Sequence, residues 1–195
     1  MTTETITDAP SADDLAADPR YQRLMRATYR AAGEGYDAVT MRRLAAEARM
    51  SLAKIYEYGG SKDELIARAH AGGMGALRAD LERHPPAATT TAERVSAALD
   101  RFSDALEQDE IRTRTLMRAM YSADPKVGST MGTLGSTFGA IVDAAIGSAD
   151  VADHDARVEL LGDVVNSAIL QWLHHRLDAE GVRARLRRAV GVLFG

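Results

Sequence analysis

The span RLAAEARMSLAKIYEYGGSKDELI, residues 43–66, gathers side chains suited to holding a polyanion. Lysine ammonium groups, tyrosine phenols and serine or threonine hydroxyls all donate to phosphate oxygens, and a helix N-terminus adds free backbone N–H groups. The distribution of charge agrees with that chemistry. Residues 1–19 carry five acids and no base, residues 20–70 carry ten Arg and Lys against six Asp and Glu, and the remainder is net acidic, within a chain of formal charge −4. A polyanionic partner is therefore expected to meet residues 20–70.

Other chemistries lack their residues. The 195-residue chain has no cysteine, which removes disulfides, thiol nucleophiles and thiolate metal ligands. His70, His84, His154 and the pair His174-His175 show no metal-ligand spacing with acids, so they are expected at surfaces or interfaces, with no metal and no cofactor. No nucleophile elbow, phosphate-binding loop or dinucleotide fingerprint occurs, so no catalytic residue is assigned and an enzyme is disfavoured. The N-terminus lacks a basic region followed by an apolar core, and no 18-residue apolar run appears; a soluble, cytoplasmic protein with no membrane partner is expected.

Apolar residues recur at helical rather than alternating spacing, aromatics are only 5%, and the fold is expected to be all-α. The acidic residues 1–18 are expected to be a disordered tail. Tyr21, Leu24, Met25, Thr28, Ala31 and Ala32 mark a first helix ending at Gly33. Thr40 caps a short second helix with Met41, Leu44, Ala45 and Ala48 on one face, and Ser51 caps a third, LAKIYEY, anchored by Ile55 and stopped by Gly59-Gly60. Ser61 and Glu64 then form a capping-box pattern at the head of a longer helix.

The rest reads as long helices. His84-Pro85-Pro86 breaks the chain, Thr90 and Glu93 restart it, Asp109 opens the next helix, and Asp124-Pro125 begins one that carries Gly128, Gly132, Gly135 and Gly139. Those glycines each cost roughly 1 kcal/mol of helix propensity, so close packing is expected to compensate or the helix is loose. Asp153 to Glu180 reads as the longest helix, ended by Gly181, with a last helix from Val182 to Phe194.

The second and third helices have the lengths of a helix-turn-helix, whose second member sets its N-terminal side chains into the DNA major groove. In that geometry Thr40 lies at a phosphate with Arg42 beside it, Ser51, Leu52 and Lys54 lie nearest base edges or flanking phosphates, and Tyr56, Tyr58 and Lys62 serve as a phosphate clamp. At these residues the chain resembles the TetR family of bacterial transcription regulators. The shared pattern is a Gly-Tyr entry, a Thr-capped second helix, a Ser-capped recognition helix ending in Tyr-x-Tyr, and Ser-Lys-Asp-Glu-Leu opening the fourth helix. Three departures stand out: Arg49 at a turn glycine, Glu57 near the phosphates, and Gly59-Gly60 in place of a bulky apolar residue and its follower. They imply modest affinity or an unusual operator.

The resemblance implies a three-helix DNA-binding domain over residues 19–66 and a helical ligand-binding and dimerisation domain over residues 67–195. It implies a homodimer paired through its last two helices, with Val165, Trp172, Leu186 and Val190 expected at the interface. It further implies a repressor released from a double-stranded, palindromic operator by a small-molecule effector. The segments RTLMRAMYSADP and LGDVVNSAILQWLHHRLDAEGVRARLRRAVGVLFG are similar to the branch controlling cholesterol and lipid breakdown in actinobacteria, which implies a steroid or fatty acyl-CoA effector. The expected pocket lining is Phe102, Leu116, Met117, Met120, Tyr121, Met131, Leu134, Phe138, Asn166 and Ile169, where methionines suit an adaptable apolar wall. Asn166 and Tyr121 need polar partners there. The Arg183, Arg185, Arg187 and Arg188 run reads as a solvated face, or else as a dimer rim or anion contact. The competing reading is a helical ligand sensor with impaired DNA binding.

Overall fold

The computed structural model describes residues 17–195, so the expected tail lies outside the described residues except for its last two positions. Among the described residues there are nine α-helices, one 3-10 turn and no strand. They are α1 (Pro19–Ala32), the 3-10 turn (Tyr36–Ala38), α2 (Met41–Ala48), α3 (Leu52–Gly59), α4 (Lys62–Arg83), α5 (Thr91–Glu107), α6 (Glu110–Met120), α7 (Pro125–Ile146), α8 (His154–Leu173) and α9 (Ala179–Phe194).

The caps follow local chemistry. Asp18 accepts from the Arg20 N–H at 2.7 Å, and the hydroxyls of Thr40, Ser51 and Ser61 accept from the N–H groups of Arg43, Lys54 and Glu64. Thr90 and Glu93 complete a reciprocal capping box. Ser61 and Glu64 make only half of one, because the Glu64 carboxylate turns to Arg68. Each such cap is worth about 1 kcal/mol.

The C-terminal boundary differs from the sequence expectation. The chain leaves the helix at Leu173, turns through His175 at φ 56°, and restarts where Asp178 accepts from the Gly181 N–H at 2.7 Å. Gly181 therefore lies inside α9; the Asp178 cap outweighs the helix-breaking tendency of one glycine. The recognition helix likewise runs one residue further than expected, to Gly59, with Gly60 at φ 57° closing it.

Two hydrophobic cores form. The first unites Leu24, Ala27, Ala31, Val39, Leu44, Ile55, Leu65 and Ile66 with Leu116 and Ala119 of α6. The second joins Met74, Leu81, Leu99, Phe102, Ile141, Leu161, Leu186 and Val190 among others. Helix α4 changes cores between Ile66 and Ala67, and α6 sends Leu116 and Ala119 one way and Met117 the other. Burying each large aliphatic side chain contributes about 1.5–3 kcal/mol, so α4 is held at each end, and α6 on two faces, by substantial apolar packing.

Arginines tie the second core's helices together. Arg94 on α5 donates to the Ala145 and Ile146 carbonyls, closing the C-terminus of α7. Arg183 and Arg187 on α9 pair with Asp104, Glu107 and Asp100 of α5, so half of the basic run is spent inside the chain. Along α7 no atom lies within 4 Å of a side chain added at Gly128, Gly132 or Gly135. Close packing therefore does not offset those three glycines.

Candidate functional site

Thr40, Arg42, Ser51, Leu52 and Tyr56 are exposed on the N-terminal ends and outer face of α2 and α3, with Tyr56 54% exposed beside the fully buried Ile55. Arg43, next to Arg42 in α2, is engaged within the chain instead. Its guanidinium donates to Glu34 at 2.6 and 2.8 Å and to Glu47 at 2.7 Å, and these hydrogen bonds push its pKa up and hold both carboxylates below their usual range.

The structure separates the expected phosphate clamp. Lys54 does not stand free: its ammonium group lies 2.7 Å from the Glu57 carboxylate, which raises its pKa, and 4.6 Å from the centre of the Tyr58 ring. Tyr58 is 5% exposed, packs edge-on against Tyr21 and donates its hydroxyl to Asp18. That bond raises the phenol pKa and lowers the carboxyl pKa. Tyr58 is thus a core residue fastening α3 to the start of α1, a correction to its placement with the exposed contacts.

Lys62 is also engaged. Its Nζ sits 3.7 Å from the centre of the Tyr36 ring, and burial lowers its pKa. The Arg118 guanidinium of α6 lies 3.9 Å from the same ring, and the Tyr36 hydroxyl donates to Asp63 at 2.6 Å. Burial, followed by that bond, pushes the phenol up to about 12.

The departures from the helix-turn-helix pattern have distinct outcomes. Arg49 adopts φ 55°, ψ 53°, a left-handed conformation costing an L-residue roughly 1–2 kcal/mol. Gly59 is buried, and a Cβ there would strike the Leu65 side chain; Leu65 of α4 fills the space, so the recognition helix keeps an apolar anchor. Arg68 reinforces it by donating to the Tyr58 carbonyl at 2.7 Å.

In the second core a cavity of about 560 Å³ opens between α4, α5, α6, α7 and α8, within the roughly 300–1,000 Å³ usual for small-molecule sites. Phe102, Leu116, Met117, Met120, Met131, Leu134, Phe138, Asn166 and Ile169 line it. Tyr121 does not; it is 58% exposed and accepts from the Asn166 amide at 2.7 Å, because α6 ends at Met120 and turns the next side chain outward. Each of these two polar groups supplies the partner the other needed.

His70 was missed. It lines the cavity, its Nδ1 is sealed from solvent without a hydrogen-bond partner, and burial, helped by Arg112, pushes its pKa down to about 4. The signal was present: His70 lies four residues from both Ile66 and Met74, on the apolar stripe of α4. His84 and His154 are surface residues paired with acids, and among the described residues no cluster of three or more His, Asp or Glu could hold a metal. No described helix is long and apolar enough to cross a membrane.

The residues expected at a dimer interface are packed within the chain itself. Val165, Leu186 and Val190 are 5%, 3% and 0% exposed within the single chain, and Trp172 packs against the same core. Their helical stripe faces inward, which leaves little for a second copy. Leu160 and Val192, 54% and 82% exposed, carry the outward apolar surface of α8 and α9.

Residues 24–69 match the family model described as "Bacterial regulatory proteins, tetR family", and residues 88–193 match "Tetracyclin repressor-like, C-terminal domain". The whole chain aligns, at 27% identity, with 97% of the HTH-type transcriptional repressor KstR of Mycolicibacterium smegmatis (strain ATCC 700084 / mc(2)155). Among solved structures, a TetR transcriptional regulator from Rhodococcus sp. RHA1 superposes with TM-score 0.76 at 18% identity, covering 89% of this chain and 94% of that one. Thermus thermophilus FadR, a repressor solved with lauroyl-CoA, superposes with TM-score 0.65 at 15% identity over 87% and 92% of the two chains.

Proposed function

Because the chain belongs to the TetR family of bacterial regulatory proteins, we propose that it is a transcriptional repressor released from a palindromic DNA operator by a small apolar or acyl-CoA-like effector. Residues 19–66 act as the DNA-binding domain and residues 67–195 as the effector and dimerisation domain. The repressor sign comes from the KstR relative, and the acyl-CoA option from FadR; the lipid-catabolism resemblance adds a steroid as the other candidate. A regulator of this kind works in the cytoplasm, beside the chromosome, and needs no catalytic residue.

The observation that carries the reading is the double membership of α6. Leu116 belongs to the first core and also lines the cavity, while Arg112 donates to the Tyr29 carbonyl of α1 at 3.0 Å and Arg118 rests on Tyr36. A ligand displacing Leu116, Met117 or Met120 therefore strains contacts that orient α1 and the 3-10 turn. Release requires only that the ligand bind the two arrangements with different affinity.

Thr40, Arg42, Ser51, Leu52 and Tyr56 are the proposed DNA contacts, with Lys54 contributing once it exchanges Glu57 for a phosphate. Tyr58 and Lys62 support them from behind. The homodimer is proposed to pair through Leu160 and Val192, on the outward face of α8 and α9.

The test is selection of bound fragments from genomic DNA by the purified full-length chain, followed by salt titration of the best fragment. A palindromic site whose affinity falls steeply with salt is expected. Absence of any bound fragment, in protein shown to be folded and dimeric, would leave the ligand sensor without DNA binding as the surviving reading.

A further inference from the structure

The cavity is chemically uneven along its length. Around Met74, Phe102, Leu106 and Met117 the wall is apolar, and the Thr113 hydroxyl already gives its one proton to the Leu106 carbonyl at 3.0 Å. Among the described residues His70 alone offers an unpartnered buried polar atom there. Being neutral at physiological pH, its imidazole presents one N–H and one lone pair; it suits a hydroxyl or carbonyl oxygen and supplies no countercharge to a carboxylate.

The exposed part of the wall has a different character. Asp143, Asp155, Glu159 and Asp163 lie where the cavity meets solvent, and among the described residues no Lys or Arg lines it. His154 bridges two of these acids, with Nε2 2.8 Å from Asp143 and Nδ1 3.2 Å from Asp155. Even with His154 protonated, the rim keeps a net negative charge. An anionic headgroup passing this rim meets repulsion at close range, only partly screened by salt.

We propose that the cavity takes an uncharged amphiphile carrying a hydrogen-bonding oxygen at its inner end, where His70 receives it, and that the Asp143, Asp155, Glu159 and Asp163 rim discriminates against free carboxylates and CoA thioesters. The proposal rests on reading the cavity as the effector site, and it chooses between the two effector classes that reading leaves open. His70 gives the oxygen a partner where the remaining wall is hydrocarbon, and a ligand oxygen against the ring relieves the unmet polar atom.

The test titrates the full-length chain with 1-decanol, decanoate and decanoyl-CoA, probes of one chain length that differ in headgroup charge. The alcohol is expected to bind at least about tenfold more tightly than either anion. Combined Asp155→Asn, Glu159→Gln and Asp163→Asn substitution is expected to shrink that ratio about tenfold. His70→Leu is expected to weaken decanol several-fold relative to decane, a difference that mere loosening of the fold would not produce. Equal or tighter binding of decanoyl-CoA by the unaltered chain overturns the proposal, as does failure of all three probes to bind. Operator binding measured in parallel separates the two readings. A thioester that wins and releases DNA sinks the charge argument alone; an alcohol that binds without loosening DNA sinks the regulatory role alone.

Discussion

Lys62 and Arg118 sit 3.7 and 3.9 Å from the centre of one aromatic ring, that of Tyr36. One cation heads α4 beside the recognition helix and the other rides on α6, whose flanking residues Met117 and Met120 line the cavity. The phenol between them is pinned by Asp63. Two positive charges converge on a ring because its π face and the nearby carboxylates Asp37 and Asp63 offset their repulsion.

Replacing Tyr36 with Leu is expected to cost about 1–2 kcal/mol of stability, since both cation–π contacts and the Asp63 bond are lost. The same change is expected to reduce the effector's ability to release operator while leaving cavity binding near its original value. Chemical denaturation and operator competition with and without ligand measure the two effects. Undiminished release would show that α6 communicates by another route.

Glu57 holds the one lysine of the recognition helix. Glu57→Gln removes a carboxylate from the proposed DNA-contact surface and frees Lys54, so operator affinity is expected to rise several-fold and the salt dependence to steepen by about one counterion. Unchanged affinity and slope would mean that Lys54 never reaches a phosphate.

Arg49→Gly is expected to stabilise the fold by about 0.5–1 kcal/mol, the relief of the left-handed backbone exceeding the entropy glycine adds to the unfolded chain. A urea midpoint shifted downward in the variant would contradict this balance.

The acid sensitivity of the chain should report on His70. Its folded pKa is about 4 against an ordinary value of 6.5, so between those values the unfolded chain binds more protons. The contribution is fully present above about pH 6.5 and is lost as pH falls towards about 4. His70→Leu should therefore lose less stability than the parent between about pH 7.5 and pH 5. His154, whose pKa is raised by Asp155 and then Asp143, contributes with the opposite sign: its stabilisation is present at low pH and fades as pH rises through its folded pKa. Because both proteins keep His154, it cancels from the comparison. Identical pH profiles would place the His70 ring in contact with water.

Substitution of an outward residue and an inward one on α9 should behave differently. Val192→Glu is expected to give folded monomer by ultracentrifugation, whereas Val190→Glu buries an unpaired carboxylate and is expected to unfold the chain. A dimeric Val192→Glu protein would move the interface away from this face.

Much of this architecture was legible because local rules and packing agree. Leu44 and Ile55 occupy the inward phase of short helices, and Thr40 and Ser51 precede them with capping hydroxyls, so periodicity and end chemistry point to the same boundaries. The cavity wall was legible for a related reason: Met117, Leu134 and Phe138 lie on apolar faces of helices that must converge. Tyr58 was misplaced because spacing alone cannot tell that Asp18, 40 residues earlier, receives its hydroxyl. Val165, Leu186 and Val190 were misassigned because an apolar stripe looks the same whether it meets its own chain or a copy. The stripe turns inward because its own chain already offers a core to bury it, and the α5 acids that take Arg183 and Arg187 are long-range partners with no local signature.

The Leu65 side chain that occupies the space beside Gly59 has an evolutionary consequence. The two positions are unequal when varied alone: a larger residue at 59 collides with Leu65, whereas a smaller one at 65 leaves a hole beneath the recognition helix at a cost in stability. The two sites form an epistatic pair, so a bulky residue at 59 becomes admissible only in a background where position 65 has already shrunk. The order of those two changes is what a lineage passing between the two packings must respect.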